Sequence, residues 1–335
     1  MTLLSVDNVS VQYGSYGGKV HALNHISFTL EQGATLGLVG ESGCGKSTLA
    51  LAILGLLPKA AEVTSGTISF EGQNLVGLSE AARNKVRWRR LAYVPQSAVN
   101  SLNPVTTLFH QFRMAWKAHG GRGDGRARAQ ELFRRVDLDP ALLSRYPHEL
   151  SGGMRQRAII ALALMFNPSL LIADEPTTGL DVIVQRQVIN LLRDLRAKED
   201  MAIIFISHDI GVVAELCDRV AVMYAGEIAE IGPTGQVLST PTHPYTMGLK
   251  QAFPDIRLPE APLVSIAGAP PRLLEAPSYC SFSDRCPFVA PICRQKKPPL
   301  AHFGPDQFAS CHFGDQAPEL RRRATEPSIW EAEAA

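Results

Sequence analysis

The chain has 335 residues, of which 45% are hydrophobic and 19% charged, and 33 Lys and Arg against 32 Asp and Glu give a net charge of +1. This length and apolar fraction exclude a wholly disordered chain and allow two domains, or one large domain with an extension. The near-zero charge disfavours a generally basic nucleic-acid-binding protein, although residues 83–135 hold 12 basic residues against two acidic ones and are locally +10.

The first two thirds of the chain have the pattern of a parallel sheet covered by helices. Short, almost wholly apolar runs at residues 35–39, 170–173 and 202–206 predict strands buried on both faces. The alternating segment 67–72 predicts a small antiparallel part. Apolar residues at helical spacing between the strands predict two covering helices, one through Leu49, Ala52, Ile53, Leu56 and Leu57 and one through Val188, Leu191, Leu192 and Leu195.

A glycine-rich segment follows the first of these strands and precedes a helix. Its sequence, Gly40-Glu41-Ser42-Gly43-Cys44-Gly45-Lys46-Ser47, has the spacing and the strand–loop–helix context of a phosphate-binding loop. Glycines let backbone N–H groups face phosphate oxygens, and the helix N-terminus adds positive potential. We expect Lys46 to reach the β- and γ-phosphates and the Ser47 hydroxyl to bind Mg²⁺. The predicted nucleotide contacts here are Gly40, Ser42, Gly43, Cys44, Gly45, Lys46, Ser47 and Thr48.

Two adjacent carboxylates end the strand at residues 170–173. Asp174 is placed to hold Mg²⁺ directly or through water, and Glu175 to polarise an attacking water. An Asp-Glu pair alone is weak support, because acidic residues are common at strand ends. Together with a phosphate-binding loop, the pair predicts nucleotide hydrolysis.

Between these two sites, Leu150-Ser151-Gly152-Gly153-Met154-Arg155-Gln156-Arg157 resembles the Leu-Ser-Gly-Gly-Gln signature of the ATP-binding subunits of ABC transporters. The other motifs of that family occur in order over residues 3–232. A serine and two glycines at a helix N-terminus offer a hydroxyl, N–H groups and the helix dipole to phosphate. The resemblance implies that Ser151, Gly152 and Gly153 complete the ATP site of the opposite subunit in a head-to-tail dimer.

The resemblance also assigns roles to single side chains. Tyr13 matches the aromatic residue that stacks on adenine, and Gln96 matches the glutamine that senses Mg²⁺ and the membrane partner. Asp181 matches the aspartate of the loop that crosses the dimer, and His208 matches the histidine that contacts the γ-phosphate. A lone Tyr or His near a strand end is more often a packing residue, so both assignments depend on the family match. The implied catalytic residues are Glu175, His208 and Gln96, and the implied Mg²⁺ ligands are Ser47, Gln96 and Asp174.

Two positions depart from the family pattern. Met154 replaces the usual Gln of the signature, which would weaken a contact across the dimer, and Gly179 stands where Ala is usual. Neither change removes a phosphate or metal ligand, so we expect the chain to hydrolyse ATP.

Proline marks a change in character near residue 232. Eight of the 23 prolines lie in residues 1–240 and fifteen in the last 95. We expect an ATP-binding domain at 1–232, with a helical subdomain at about 98–160, and a C-terminal extension at 233–335. The fold class implied is α/β: a P-loop ABC ATPase with a RecA-like parallel-sheet core, a small antiparallel β subdomain, a helical signature subdomain and a loop-rich C-terminal extension.

Further segments resemble the peptide/nickel/opine importer group of that family. They are Ser101-Leu102-Asn103-Pro104, residues 146–154 and 222–226, His243-Pro244-Tyr245-Thr246 and the cysteine-bearing tail. The dipeptide and oligopeptide permease ATPases are the most similar members. The group implies two transmembrane permease subunits, a second and often non-identical ATPase subunit, and an external substrate-binding protein. Dipeptides, oligopeptides, nickel chelates, opines, glutathione and some sugars all fit as substrates.

Four cysteines in the extension, Cys280, Cys286, Cys293 and Cys311, form a separate candidate site. Four soft ligands suit iron–sulfur or zinc, but zinc sites usually contain a cysteine pair two to four residues apart, which is absent here. Because related importer ATPases carry a 4Fe–4S cluster at matching cysteines, we expect such a cluster in addition to ATP and Mg²⁺. Zinc and unligated buried thiols are the alternatives.

No segment has the pattern of a secretory signal or a membrane span. The longest apolar run, 158–166, is far shorter than the ~18–20 residues that a span requires. We therefore expect a peripheral protein on the cytoplasmic face of the inner or plasma membrane.

The rival functions are a soluble ABC ATPase acting on nucleic acid or ribosomes, and a P-loop kinase. Without a second cassette or a long coiled coil, no nucleic-acid partner is expected.

Overall fold

The structure of the chain, a computed structural model, describes residues 1–15, 18–96, 101–252, 266–271 and 273–330. Residues 98–100 of the expected helical subdomain and residues 253–265, 272 and 331–335 of the expected extension lie outside this set. The chain divides into two compact units. The signature unit comprises Met1–Leu3, Leu30–Ala34 and Gly77–Ile206, and the phosphate-loop unit comprises Leu4–Thr29, Thr35–Val76 and Ser207–Ala335.

The described residues form both β-strands and α-helices. The strands are β1 (Thr2–Ser15), β2 (Gly18–Glu31), β3 (Thr35–Val39), β4 (Ala61–Phe70), β5 (Gln73–Asn74), β6 (Leu91–Val94), β7 (Leu170–Asp174), β8 (Ala202–Ile206), β9 (Arg219–Tyr224), β10 (Glu227–Pro233), β11 (Ala301–Gly304) and β12 (Gln307–Ala309). The helices are α1 (Lys46–Leu54), α2 (Glu80–Val86), α3 (Leu108–Ala118), α4 (Arg126–Arg135), α5 (Gly152–Ala163), α6 (Val182–Glu199), α7 (Ile210–Leu216), α8 (Thr234–Ser239), α9 (Pro244–Gln251) and α10 (Ala317–Ala324).

In the signature unit, β6, β7 and β8 pair in parallel. Leu91 aligns with Leu170, and Leu170 with Ala202. Every residue of β7 and β8 is buried, as the apolar runs predicted for strands covered on both faces. Strand β8 has the predicted bounds and β7 is one residue longer, ending at Asp174. The acidic pair therefore lies at the carboxyl end of a buried strand.

The phosphate-loop unit contains an antiparallel sheet in the order β2-β1-β4-β5. Its β4–β5 turn confirms the predicted antiparallel segment. In the same unit β3, which has the predicted bounds, pairs in parallel with β9. Helix α1 ends at Leu54, where Gly55 adopts a left-handed conformation with φ +59°. Leu56 and Leu57, predicted to continue the apolar face of this helix, therefore lie beyond its end.

The C-terminal extension adds strands to the phosphate-loop unit. Antiparallel β12 pairs with β10, aligning Ala309 with Glu230, and β11 pairs with β12. Outside its strands and α-helices, the described part of the extension is mostly loop, with short 3₁₀ segments at Ser283–Arg285, Pro291–Arg294, Gly314–Gln316 and Pro327–Ile329. Among the described residues, no helix combines the length and apolar character needed to cross a membrane.

Candidate nucleotide-binding site

The phosphate-binding loop lies between β3 and α1, and its backbone requires glycine. Gly40 has φ +148°, and a Cβ there would lie 2.2 Å from the Met223 carbonyl oxygen. Gly45 has φ +107°, and its Cβ would lie 2.8 Å from the Ala22 carbonyl oxygen. Side chains are thus excluded both by backbone conformation and by close contact. Glycine at these two positions therefore permits the tight backbone turn that a phosphate-binding loop requires.

Lys46 is buried inside this loop. Its Nζ donates hydrogen bonds to the Gly40 carbonyl at 2.8 Å and the Glu41 carbonyl at 3.0 Å. Burial raises the pKa of the neighbouring Cys44 thiol, although the Lys46 charge opposes this shift. The lysine therefore concentrates positive charge in the loop beside a neutral thiol.

The N-terminus of α1 offers further donors. Its N-cap is Gly45, which has no side-chain oxygen to cap the first-turn N–H groups of Lys46, Ser47 and Thr48. The Tyr13 hydroxyl lies 3.4 Å from Thr48 Oγ1. The half-buried Tyr13 side chain therefore lies beside the first turn of α1.

His208 lies in the same unit, on the segment that leads into α7. The preceding Ser207 donates its N–H to the Leu38 carbonyl of β3 at 3.1 Å, and the following Asp209 caps α7 by accepting from Gly211 N at 2.8 Å. The His208 side chain is exposed. Hydrogen bonds of the residues on both sides therefore fix the position of His208. Its exposed imidazole lies on a segment that is hydrogen-bonded to β3, the strand before the phosphate-binding loop.

In the signature unit, the two carboxylates have different surroundings. Asp174 is 1% exposed and accepts a hydrogen bond from the Tyr93 hydroxyl at 3.1 Å. Burial and the Asp174 charge raise the pKa of Tyr93, so its hydroxyl remains a donor. Glu175 has φ +48°, and its Oε2 accepts from Gln96 Nε2 at 2.8 Å and from Thr178 Oγ1 at 3.1 Å. Sequence patterns do not predict these contacts of Tyr93 and Thr178, because they are tertiary or depend on the turn after β7.

In the signature unit, Asp174 supplies a carboxylate and Gln96 an amide oxygen, and hard oxygen ligands of this kind are those that Mg²⁺ prefers. In the phosphate-loop unit, Ser47 has a hydroxyl oxygen of the same kind. The Tyr93 hydrogen bond engages Asp174 Oδ2 and fixes the orientation of this carboxylate.

The signature residues begin α5. Ser151 is its N-cap and accepts from Met154 N at 3.3 Å. A Cβ on Gly153 would lie 2.4 Å from Val184 Cγ1, so glycine lets α5 pack closely against α6. Asp181 caps α6 by accepting from Val184 N at 2.9 Å. In the structure Ser151 and Asp181 are therefore the N-caps of two packed helices.

The four cysteines of the extension line one enclosed cavity of about 20 Å³ with Phe282, Phe288 and Phe313 among its other walls. They are free thiols, and burial raises the pKa of Cys280 and Cys311 to about 11 and that of Cys286 further. Among the described residues, no group of three or more His, Cys, Asp or Glu could hold a metal ion. The prediction of a 4Fe–4S cluster at Cys280, Cys286, Cys293 and Cys311 was therefore wrong. The apolar cavity favours neutral thiols, whereas metal ligation requires thiolates.

Two family models match the chain. Residues 23–178 match the ABC transporter family, and residues 229–293 match the C-terminal region of oligopeptide/dipeptide transporters. The second match begins within β10 and covers the first three cysteines of the extension. Both the phosphate-binding loop and much of the extension thus have counterparts in known proteins.

Curated relatives match nearly the whole length. A probable peptide ABC transporter ATP-binding protein of Sinorhizobium fredii is 45% identical over 329 residues, 95% of this chain and 97% of the relative. The oligopeptide transport ATP-binding protein OppD of Haemophilus influenzae is 45% identical, covering 92% of this chain and 96% of the relative. The dipeptide transport ATP-binding protein DppD of Escherichia coli is 40% identical, covering 93% and 97%.

The fold also matches solved structures. An ATP-binding cassette, solved as a dimer in a post-hydrolysis state with ADP and phosphate, aligns with a TM-score of 0.62 and 26% identity. The alignment covers 69% of this chain and 98% of that cassette.

Proposed function

The chain belongs to the family of ABC transporter ATP-binding subunits, in its oligopeptide and dipeptide transport group, and we infer that it hydrolyses ATP to power peptide uptake through a membrane importer. The observation that carries this inference is the phosphate-binding loop at residues 40–47 in a chain that is 40–45% identical to peptide transport subunits over more than nine tenths of its length. The relatives give no support to a nucleic-acid or ribosome partner.

We propose that the phosphate-loop unit holds the nucleotide. Tyr13 stacks on adenine, since its hydroxyl reaches Thr48 at the start of α1. Backbone N–H groups from Gly43 to Thr48 bind phosphate oxygens, and Lys46 turns from the loop carbonyls to the β- and γ-phosphates. His208 contacts the γ-phosphate. The remaining contacts of this set are Gly40, Ser42, Cys44, Gly45 and Ser47.

We propose that Glu175 is the general base that accepts the proton of the attacking water. The hydrogen bonds from Gln96 and Thr178 fix the direction of its carboxylate, which favours this role. Ser47, Asp174 and Gln96 would hold Mg²⁺. Bound Mg²⁺ supplies positive charge to the β- and γ-phosphate oxygens.

We propose that the ATP-bound form is a head-to-tail dimer in which each signature completes the partner's site. Ser151 Oγ accepts a hydrogen bond from Met154 N, so its O–H can still donate to a phosphate. Gly152 and Gly153 present the N–H groups of the first turn of α5, and Asp181 lies on the loop that crosses the dimer. The dimeric cassette among the structural neighbours supports this arrangement.

The proposed assembly contains two permease subunits, a second and often non-identical ATPase subunit and an external substrate-binding protein. This chain would be peripheral, on the cytoplasmic face of the membrane, with residues 1–232 binding ATP and 233–335 forming the extension. The +10 segment 83–135 would lie on the side of the helical subdomain that meets the permeases.

The experiment is purification of the tagged full chain with its co-expressed permeases in detergent. The expected result is co-purification with two multispanning proteins and ATP hydrolysis that the cognate binding protein stimulates. Recovery with ribosomes or nucleic acid instead of membrane proteins would favour the rival function.

A further inference from the structure

Glu41 of the phosphate-binding loop contacts two residues that lie 204 and 244 positions later in the chain. Its backbone N–H donates to the Tyr245 hydroxyl at 2.9 Å, and its Oε2 accepts from Arg285 Nη1 at 2.9 Å. All three residues belong to the phosphate-loop unit. The C-terminal extension therefore contacts the nucleotide loop directly, through both the main chain and the side chain of one residue.

The Arg285 guanidinium is almost completely enclosed. Only 7% of the side chain is exposed, and its cation also lies 5.7 Å from the centre of the Tyr224 ring. A guanidinium has five N–H donors, and five acceptors surround this one. They are Ala267 O at 2.8 Å from Nε, Glu41 Oε2 at 2.9 Å and Tyr224 Oη at 3.3 Å from Nη1, and Ile266 O at 3.1 Å and Gly268 O at 3.3 Å from Nη2.

An aromatic cluster supports this contact. The rings of Tyr224, Tyr245 and Phe282 lie 4.7–5.3 Å apart, and Phe282 is 2% exposed. Phe282 precedes Arg285 by three residues, so the cluster fixes the turn that carries the arginine. Offset and edge contacts of this kind stabilise a single arrangement of rings. The packed aromatic rings thus hold the Arg285 turn in place beside Glu41.

Glu41 places a negative charge in a loop whose task is to bind an anion. The Glu41 side chain is 25% exposed, and its carbonyl already accepts from Lys46 Nζ. An unpaired carboxylate here would repel a polyphosphate, and partial burial would strengthen that repulsion. Arg285 cancels this charge, and it does so from the extension.

We propose that Arg285 is a positioning residue for nucleotide binding: it neutralises Glu41 and holds the phosphate-binding loop, so that high affinity for ATP requires the C-terminal extension. The inference rests on the proposed ATP binding. Because Arg285 contacts the loop through Glu41, its loss acts through the Glu41 carboxylate.

The test is a double-mutant cycle on the full chain, with ATP·Mg²⁺ affinity measured by displacement of a fluorescent ATP analogue. Arg285→Met should raise the ATP Kd about tenfold, whereas Glu41→Gln should change it by less than about threefold. The double variant should return to within about threefold of wild type, because the uncompensated charge is gone. If Arg285 acted only by holding residues 266–268, adding Glu41→Gln would not restore the ATP affinity that Arg285→Met loses.

Arg285→Lys, which keeps the charge but loses the five-donor fork, serves if Arg285→Met does not fold. We expect its ATP Kd to stay within about threefold of wild type. A tenfold loss in Arg285→Lys, an unchanged affinity in a folded Arg285→Met, or a double variant as weak as Arg285→Met would each overturn the inference. A wild-type chain that bound no ATP would instead overturn the proposed function, and the inference with it.

Discussion

Gln96 Nε2 donates a 2.8 Å hydrogen bond to Glu175 Oε2, the same carboxylate oxygen that accepts from Thr178. Gln96 follows β6, and Glu175 follows β7, its parallel neighbour. Two donors from two segments thus orient the carboxylate that we assign as general base. A movement of the Gln96 segment would therefore change the direction of this carboxylate.

Replacement of the base should separate ATP binding from turnover. Glu175→Gln keeps the shape of the side chain but removes its ability to accept a proton. We expect kcat for ATP hydrolysis to fall at least about 100-fold, with the ATP Kd within about threefold of wild type. Steady-state phosphate release and a binding titration measure the two quantities. Glu62→Gln, an exposed carboxylate on β4, is the control, and near-wild-type turnover in Glu175→Gln would refute the assignment.

Lys46 should matter for binding itself. Lys46→Ala removes the buried ammonium that would reach the β- and γ-phosphates, so we expect the ATP Kd to rise at least about tenfold. The same titration applied to Lys59→Ala, an exposed lysine of the same unit, should show no change. Unchanged ATP affinity in Lys46→Ala would show that Lys46 does not bind the phosphates of ATP.

Stability should fall on acidification because of His243. Burial lowers the pKa of His243 from 6.5 to about 4, and its Nδ1 accepts from Tyr245 N at the start of α9. Between those pH values the unfolded chain binds a proton that the folded chain excludes, so the free energy of unfolding decreases as the pH falls. This residue should account for roughly 2 kcal/mol between pH 7 and pH 5.

Urea unfolding of wild type and His243→Asn at the two pH values measures this contribution. Asparagine keeps an acceptor for the Tyr245 N–H but does not titrate. The difference between pH 7 and pH 5 should be smaller in His243→Asn by roughly 2 kcal/mol. His302→Asn, an exposed histidine, should behave as wild type, and equal pH dependence in all three proteins would contradict the buried neutral state.

The thiols of the extension should be slow to react. With pKa values of about 11, Cys280 and Cys311 are about 0.1% thiolate at pH 8, against roughly a quarter for an ordinary thiol. We expect iodoacetamide to label them at least about 100-fold more slowly in the native than in the denatured chain. Mass spectrometry of timed samples assigns the rate to each cysteine. Native labelling at the denatured rate would show that these thiols are neither buried nor neutral.

The parts of the fold that the sequence predicts best are those fixed by local pattern. The apolar runs at 35–39 and 202–206 became strands with those bounds, because a strand buried on both faces favours a nearly continuous run of apolar residues. The end of α1 was missed because its apolar spacing continues past Gly55, where backbone conformation and not hydrophobicity ends the helix.

At the candidate site, the contacts that could not be predicted from the sequence are tertiary ones. Tyr93 reads as an ordinary strand residue, and only the pairing of β6 with β7 brings its hydroxyl to Asp174. In the +10 segment, which reads as a charged surface, Arg128 donates to the carbonyls of Leu164 and Met165 just beyond α5. The resemblance to importer ATPases with matching cysteines implied a 4Fe–4S cluster at the four cysteines, but the apolar cavity around them favours neutral thiols.

ATP hydrolysis by this chain should drive peptide uptake. The direct measurement is uptake of a radiolabelled di- or oligopeptide into proteoliposomes that contain the permeases, the two ATPase subunits and the external binding protein, with ATP on the side of this chain. We predict accumulation that requires ATP and is lost when Glu175→Gln replaces the wild-type chain. Equal uptake without ATP, or with Glu175→Gln in place of the wild-type chain, would contradict a role of this ATPase in driving uptake.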